Sequence, residues 1–188
     1  MAEKRKKKEE EKLGWQKSVL LYAHDMLYLL LIVMLLFLLV FRIIVVSGGS
    51  MRMTLLDGDY LLLLNNTFYH TPQRGDIVVI SKESFDNGKP IVKRVIATAG
   101  MWVDIDEDGY VSVDGEKLEE PYVTDRSKGI SDLEYPVQVP DGCVFVLGDH
   151  RSTSVDSRSS VIGFIKEDET VGQIVMRVWP LKNFGLID

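Results

Sequence analysis

The sequence predicts a mainly β fold preceded by one N-terminal helix long enough to cross a membrane. An uncharged apolar run of helical length lies near the start of the chain, and short β-branched and aromatic runs separated by Gly, Asp, Asn and Pro follow it. The 188 residues, 46% hydrophobic and 27% charged, suit one globular domain of ordinary size. Because no helical periodicity of useful length follows the apolar run, we expect an all-β domain of hairpins and curled sheets.

Charge is distributed unevenly along the chain. Residues 1–19 carry seven Lys or Arg against four Glu, whereas residues 20–188 carry fifteen basic and twenty-four acidic residues. The acidic bulk argues against nucleic acid as a partner, because nucleic-acid binding needs a basic face. The basic cluster Lys4–Lys8 should stay cytoplasmic by the positive-inside rule. We therefore predict a basic cytoplasmic tail over 1–19, a transmembrane helix over 20–46 and an extracytoplasmic β domain over 47–188.

The apolar run from Met26 to Val46 would span about 31 Å as a helix, enough for the hydrocarbon core of a bilayer. Arg42, about one turn from its end, can snorkel to the headgroups. A cleavable secretory signal is one alternative, with Val46 and Gly48 as small residues before a cut, but the run exceeds the usual core of about 7 to 15 residues. A buried globular helix is the other, and it would need a core large enough to surround it.

Seven strands are predicted from apolar patterns between turn residues. They cover residues 60–64, 77–80, 91–97, 102–105, 110–113, 144–147 and 172–178. The segment Asp104–Glu116 begins like a calcium loop, but its twelfth position is Gly115 rather than a bidentate Glu. Two Asp-Gly hairpin turns explain this segment better. Cys143 is the only cysteine, so it cannot form an internal disulfide, and we expect it to pack in the core.

A hydroxyl nucleophile needs a base, and the three histidines are His24, His70 and His150. Only His150 lies in a suggestive loop, GDHRS, so a Ser-His-Asp arrangement stays open at this point. A lysine can serve instead if burial lowers its pKa from about 10.4 towards 7. Lys93, in PIVKRVIATAG, has the most apolar neighbours of any lysine. In a strand, Lys93 and Arg94 point to opposite faces, so one can enter a pocket while the other reaches solvent. Spacing alone favours an exposed Lys93.

Three segments follow one another along the chain: SMRMTLLDGDYLLL from Ser50, KRVIATAG from Lys93 and GDHRSTSVDSR from Gly148. They match, in order, the serine, lysine and closing motifs of the type I signal peptidases, and the chain resembles this family in its short single-span form typical of Gram-positive bacteria. RGDIVV and VDGEKLEEPYV also look like family segments. Five positions depart from the family motifs: Met53, Ala97, Ala99, Met101 and His150. None of these departures removes a proposed catalytic group.

The resemblance implies a membrane-bound serine endopeptidase that removes N-terminal signal peptides from secreted preproteins, cutting after small residues of the Ala-X-Ala type. Ser50 would attack the scissile carbonyl, neutral Lys93 would take its proton and return one to the leaving amine, and the Ser50 backbone N–H would meet the oxyanion. The implied partners are signal peptides, the lipid bilayer and the secretion translocon, with no nucleic acid, metal or organic cofactor. The implied location is the cell membrane, single-pass, with a cytoplasmic N-terminus and an extracytoplasmic catalytic domain.

The matched motifs imply further roles. In the closing motif, Ser154 would hydrogen-bond and orient the lysine amine. Asp156 would form a salt bridge with Arg158, braced by Asp149 and Arg151. The substrate would lie extended beside the nucleophile and fill two shallow pockets for small residues. The implied substrate-binding residues are Val46, Gly48, Met51 and Val92.

Ser50 is predicted to lie close to the end of the transmembrane helix. Ser50 lies four residues beyond the predicted helix end, so at most about 14 Å would separate the two.

One alternative function is that of a catalytically silent pilus-assembly chaperone related to the signal peptidases, which would lack the serine or the lysine. A self-cleaving repressor would need a DNA-binding helical domain in place of the membrane span. A plain anchored binding module would leave the ordered motifs unexplained.

Overall fold

The computed structural model describes residues 2–69, 71–129 and 131–187, and for residues 2–14 it describes the backbone alone. Within these residues the chain forms one α-helix, α1, Ala2–Val40, and twelve β-strands. The strands are β1 Phe41–Val45, β2 Tyr60–Asn65, β3 Ile77–Ile80, β4 Ile91–Thr98, β5 Trp102–Ile105, β6 Val111–Val113, β7 Glu116–Lys117, β8 Val137–Gln138, β9 Cys143–Leu147, β10 Ile165–Lys166, β11 Thr170–Trp179 and β12 Gly185–Leu186. Short 3-10 turns cover Asp86–Gly88, Glu167–Glu169 and Leu181–Asn183. The mainly β prediction is confirmed.

Helix α1 forms because most of its residues are strong helix formers, with Leu predominating after the charged start. The part from Trp15 to Val40 has a mean hydropathy of 2.4 over its most apolar window, and no part of that window is buried. By length and composition this segment is sufficient to cross a membrane. The side chains of the basic cluster Lys4–Lys8 lie outside the described residues.

The helix ends at Val40, six residues before the predicted end at Val46, so the predicted span 20–46 is wrong at its C-terminal end. The next residues form β1, which pairs antiparallel with β2, with Phe41 opposite Leu64 and Val45 opposite Tyr60. The physical reason is the β-branched run of Ile and Val, which favours a strand over a helix. Ten residues now separate the helix end from Ser50, which raises the chain-length limit from about 14 Å to about 36 Å.

Two antiparallel sheets form the unit from Phe41 onward. In the larger sheet the strand order is β1-β2-β11-β3-β4-β9-β10, with β12 pairing on β11. In the smaller sheet the order is β7-β6-β5-β8. Apolar clusters on the strands hold the sheets, including one with Met51, Leu55 and Val79 and another with Val103 and Phe145. Strand β11, from late in the chain, therefore lies between β2 and β3, which follow each other in sequence, and joins the two parts of the larger sheet.

The predicted strands agree closely with the observed ones. Strands 77–80 and 102–105 match at both ends, and the other five are within two residues at each end. The two Asp-Gly hairpin turns are also confirmed, because β5 pairs with β6 and β6 with β7 around them. Asp114 and Gly115 in the second turn have φ values of 53° and 83°, the left-handed conformation that this turn type requires. Cys143 is partly buried and packs against the apolar cluster of β5 and β9, as its predicted core position implies.

Candidate active site

Strand β4 carries Lys93 and Arg94 side by side in the larger sheet, between β3 and β9. Both side chains are buried, at 3% and 2% exposure, so the prediction that one of them reaches solvent is wrong. The reason is that both faces of β4 are covered. Arg94 donates to both carboxylate oxygens of Asp149, at 3.0 and 2.9 Å, and its guanidinium lies 3.9 Å from the centre of the Tyr122 ring.

Ser50, the predicted nucleophile, lies in a tight turn shortly after β1 that we call the nucleophile turn. The carbonyl of Met51 accepts hydrogen bonds from the N–H groups of Thr54 and Leu55, at 2.8 and 2.7 Å, so the residues after Ser50 coil into one turn. Met51 and Leu55 are fully buried and anchor this turn in the apolar cluster beneath the sheet. The chain reaches the turn through Gly48, whose φ of 102° is a conformation that side-chain-bearing residues rarely adopt.

The turn and β4 bring Ser50 and Lys93 into direct contact. The Lys93 Nζ lies 2.7 Å from the Ser50 Oγ, within hydrogen-bond distance. Burial lowers the pKa of Lys93 from its ordinary value to about 8, because the buried environment disfavours the ammonium form. The charge on Asp156 opposes this shift of the pKa, the charge on Arg158 adds to it, and Asp149 opposes it. A neutral amine beside a hydroxyl is the arrangement that activates a serine nucleophile.

The loop after β9, which carries the closing motif and which we call the closing loop, is held by buried bidentate ion pairs. Arg158 donates to both oxygens of Asp156, at 2.8 and 2.9 Å, with both side chains almost inaccessible to solvent. The third arginine, Arg151, donates to both oxygens of Glu120. Asp149 in this loop pairs with Arg94 on the neighbouring strand β4, whereas Arg151 pairs with Glu120. Charge-assisted bidentate bonds fix both position and orientation, so the loop presents a rigid wall.

Ser154 does not make its predicted hydrogen bond to Lys93. The Ser154 Oγ is buried and has no hydrogen-bond partner among the described residues. It packs instead against Gly148: a Cβ at that glycine would lie 2.2 Å from the Ser154 Oγ and 2.6 Å from the Ser50 carbonyl oxygen. Because Gly148 has no side chain, the closing loop can approach the nucleophile turn closely. The hydroxyl of Ser154 lies in this contact rather than on the lysine amine.

The backbone around Ser50 determines which N–H groups could meet a developing negative charge. Within the described part of the chain, the Ser50 N–H donates no hydrogen bond, whereas its carbonyl accepts one from the His150 N–H at 3.0 Å. The Gly48 N–H donates to Asp57 Oδ1 at 2.9 Å. The Ser50 N–H is thus an available donor beside the Ser50 hydroxyl, whereas the Gly48 N–H is already engaged.

A cavity of about 390 Å³ opens beside Ser50. It brings together all four residues with predicted substrate-binding roles: Val46, Gly48, Met51 and Val92. Further apolar walls come from β1 and from the start of β4, including Ile44 and Ile91. We call this the valine-lined cavity. Its walls are mostly apolar, and several of them are β-branched.

The described histidines, His24 and His150, do not take the place of the lysine. His150 Nδ1 lies 3.2 Å from the Gly49 carbonyl oxygen, and Nε2 lies 3.6 Å from Asp125, while the Ser50 Oγ has its hydrogen bond with Lys93. His24 is exposed in α1, and His70 lies outside the described residues. The described residues contain no group of three or more His, Cys, Asp or Glu side chains that could hold a metal ion.

Several contacts at the site have no counterpart in the sequence predictions. Arg94, Glu120 and Tyr122 surround the closing loop, and Thr54 donates to Asp149 from the nucleophile turn. The neighbouring cations Lys93 and Arg94 in an apolar strand were a signal for a buried carboxylate, because a second buried cation needs such a partner. The identity of that partner depends on the fold, because 55 residues separate Arg94 from Asp149.

Residues 19–179 match the protein family described as Signal peptidase, peptidase S26. The probable signal peptidase I-1 of Synechocystis sp. is 36% identical over 143 residues, which is 72% of this chain and 69% of that protein. The signal peptidase I of Bacillus caldolyticus is 33% identical over 146 residues, which is 71% of this chain and 77% of that protein. A crystal structure of a signal peptidase I from Enterococcus faecalis V583 is 32% identical, covers 55% of this chain and 96% of its own, and has a TM-score of 0.44.

Proposed function

Because the chain belongs to the type I signal peptidases of the peptidase S26 family, we propose that it is a membrane-bound serine endopeptidase that removes signal peptides from preproteins through a Ser50–Lys93 dyad. The observation that carries this proposal is the 2.7 Å contact between the Lys93 Nζ and the Ser50 Oγ in a site where burial lowers the pKa of the lysine. The same contact disfavours a catalytically silent chaperone, which has no need of a neutral amine on a hydroxyl.

The proposed reaction has two halves. Neutral Lys93 accepts the hydroxyl proton as the Ser50 Oγ attacks the scissile carbonyl carbon, and the Ser50 N–H donates to the oxyanion that forms. The lysine ammonium then gives that proton to the leaving amine as the C–N bond breaks, which releases the mature protein and leaves an ester on Ser50. Water, deprotonated by neutral Lys93, hydrolyses the ester and restores the serine hydroxyl.

The substrate is proposed to bind as an extended strand beside Ser50. Strand β1 is an edge strand that pairs only with β2 among the described residues, so its other edge is available for backbone hydrogen bonds with a peptide. Alternate side chains of such a peptide would point into the valine-lined cavity. Small residues before the cut, as in an Ala-X-Ala site, fit its β-branched walls.

The membrane is proposed to hold both enzyme and substrate. Helix α1 would cross the bilayer with the basic cluster Lys4–Lys8 in the cytoplasm, which puts the catalytic unit outside it. Exposed apolar side chains of the catalytic unit support contact with the bilayer surface. They are Ile43, Val45, Tyr60, Trp179, Leu181, Phe184 and Leu186. A signal peptide anchored in the same membrane would then meet the site at a high effective concentration, with the translocon as a proposed neighbour.

The apolar, β-branched lining of the valine-lined cavity makes substrate choice a direct test of this function. The purified full-length protein in detergent should cut a preprotein after Ala, and replacing that Ala by Leu should lower kcat/KM by about 10- to 200-fold, because the added atoms meet β-branched walls. Mass spectrometry of the mature product checks the position of the cut. Equal cleavage after Ala and Leu would contradict the proposed substrate pocket, and no cleavage of any preprotein would contradict the proposed function.

The pH dependence of cleavage should follow the protonation of Lys93. Since the pKa of Lys93 is lowered to about 8, only about one tenth of the enzyme carries the neutral amine at pH 7. We expect kcat/KM to rise with pH through about 8 and to fall about tenfold per pH unit well below that value. Circular dichroism over the same range separates this effect from unfolding. A profile that is flat between pH 6 and 9 would contradict a lysine base.

A further inference from the structure

A second cavity, of about 350 Å³, shares Ser50 and Gly48 with the valine-lined cavity but is otherwise lined differently. We call it the Arg52 cavity. Its lining residues are Gly48, Gly49, Ser50, Arg52, His150 and Thr153. An extended peptide with its scissile carbonyl at Ser50 has to continue past the nucleophile in both directions. If the residues before the cut lie in the valine-lined cavity, those after the cut lie in the Arg52 cavity.

The far wall of the Arg52 cavity is held in place by His150. Its backbone N–H donates to the Ser50 carbonyl at 3.0 Å, and its ring Nδ1 lies 3.2 Å from the Gly49 carbonyl oxygen and 2.8 Å from the Thr153 Oγ1. His150 thus connects the closing loop to Gly49 and Ser50.

The charge of the Arg52 cavity comes from Arg52. Its side chain is exposed and carries a positively charged guanidinium. Two carboxylates contact lining residues without lining the cavity themselves: Asp57 accepts a hydrogen bond from the Gly48 N–H at 2.9 Å, and Asp125 lies 3.6 Å from His150 Nε2. Arg52 is therefore the one Arg or Lys among the six lining residues, and none of the six is acidic.

We propose that the Arg52 cavity receives the first residue of the mature protein, and that Arg52 makes it favour an acidic side chain at that position. This inference rests on the proposed function, because it assigns one end of the same substrate. Arg52 acts as a specificity-determining residue and has no part in the chemical steps. The interaction is between exposed charges, so the expected preference is modest, roughly two- to fivefold in kcat/KM.

The test compares three preproteins that differ only in the first mature residue, which is Glu, Gln or Lys. Wild-type enzyme should show the highest kcat/KM for Glu and the lowest for Lys, and the spread should narrow as salt is raised, because salt screens exposed charges. Arg52→Glu should reverse the order, and Arg52→Gln should remove the difference between Glu and Gln. The matched control is Arg74→Glu, a charge reversal at an exposed arginine in the turn before β3, which should keep the wild-type order.

Each outcome of this comparison decides something. Equal kcat/KM for the three substrates, a wild-type preference for Lys, or an unchanged order in both Arg52 variants would overturn the assignment of the Arg52 cavity while cleavage itself persists. Absence of cleavage with all three substrates would count against the proposed function instead. The same reversal in Arg74→Glu would show that net charge, rather than this cavity, sets the preference.

Discussion

Replacing Lys93 by Met should reduce cleavage of a preprotein by about 10²- to 10⁴-fold or more, because the serine loses the only group within hydrogen-bond distance of its Oγ among the described residues. Ser50→Ala should cost at least about 10⁴-fold, since the nucleophile itself is removed. Gel or mass-spectrometric analysis of product formation measures both losses. The matched controls are exposed residues of the same types, Lys166→Met and Ser84→Ala, which should retain wild-type rates.

The lysine variant should also become more stable while it becomes inactive. The pKa of Lys93 falls from 10.5 to about 8 in the folded chain, so the folded state binds fewer protons than the unfolded state between these values. Wild-type stability should therefore rise with pH from about 8 to 10.5 and be lowest below 8. At pH 7, Lys93→Met should raise the free energy of unfolding by about 1–3 kcal/mol, and the gain should shrink above pH 8. A variant that is inactive because it unfolds would contradict this expectation.

Breaking the ion pair of the closing loop should have the largest effect on stability. Arg158→Met leaves the carboxylate of Asp156 buried without its partner, which should lower the free energy of unfolding by about 3–5 kcal/mol. In a chain of this size that corresponds to a fall in Tm of roughly 6–20 °C, measurable by thermal unfolding in detergent. Loss of the positive charge should also raise the pKa of Lys93, so residual activity should shift to higher pH.

The control for this prediction is a salt bridge of the same charge type on the surface. Lys128 and Glu107 pair at 2.6 Å, but both side chains are exposed. Lys128→Ala should change the free energy of unfolding by less than about 1 kcal/mol, because solvent screens the exposed pair. Similar losses in the two variants would mean that burial of the Asp156–Arg158 pair contributes little.

The β-strands could be predicted because each is short, apolar and bounded by residues that favour turns. Asp114 and Gly115 illustrate this: their letters alone predict a left-handed hairpin turn, and the backbone adopts it. The end of α1 could not be predicted in the same way. Phe41–Val45 continues the apolar run past Arg42, and its β-branched residues favour a strand too weakly to mark the boundary, so the pairing with β2 decides the outcome.

The candidate site shows a similar division. The contact between Ser50 and Lys93 was expected from the family motifs, and the structure places the two atoms within hydrogen-bond distance. The partners of the buried arginines were not expected, because Arg151 finds Glu120 across 31 residues of chain and no local pattern encodes that pairing. Ser154 differs from its expected role because it packs against Gly148, which has no side chain, instead of bonding to Lys93. The residues of the motif do not indicate this packing.

The place of β11 in the larger sheet has a consequence for how the enzyme is made. Ser50 follows β1, which lies on one side of β11 with β2, and Lys93 is on β4, which lies on the other side with β3. Among the described residues β11 is the last long strand to be synthesised, and until it inserts, β2 and β3 are not connected through the backbone hydrogen bonds of the sheet. A chain still being synthesised therefore lacks the strand that joins these two parts of the sheet, and we expect cleavage to begin only after β11 has been made.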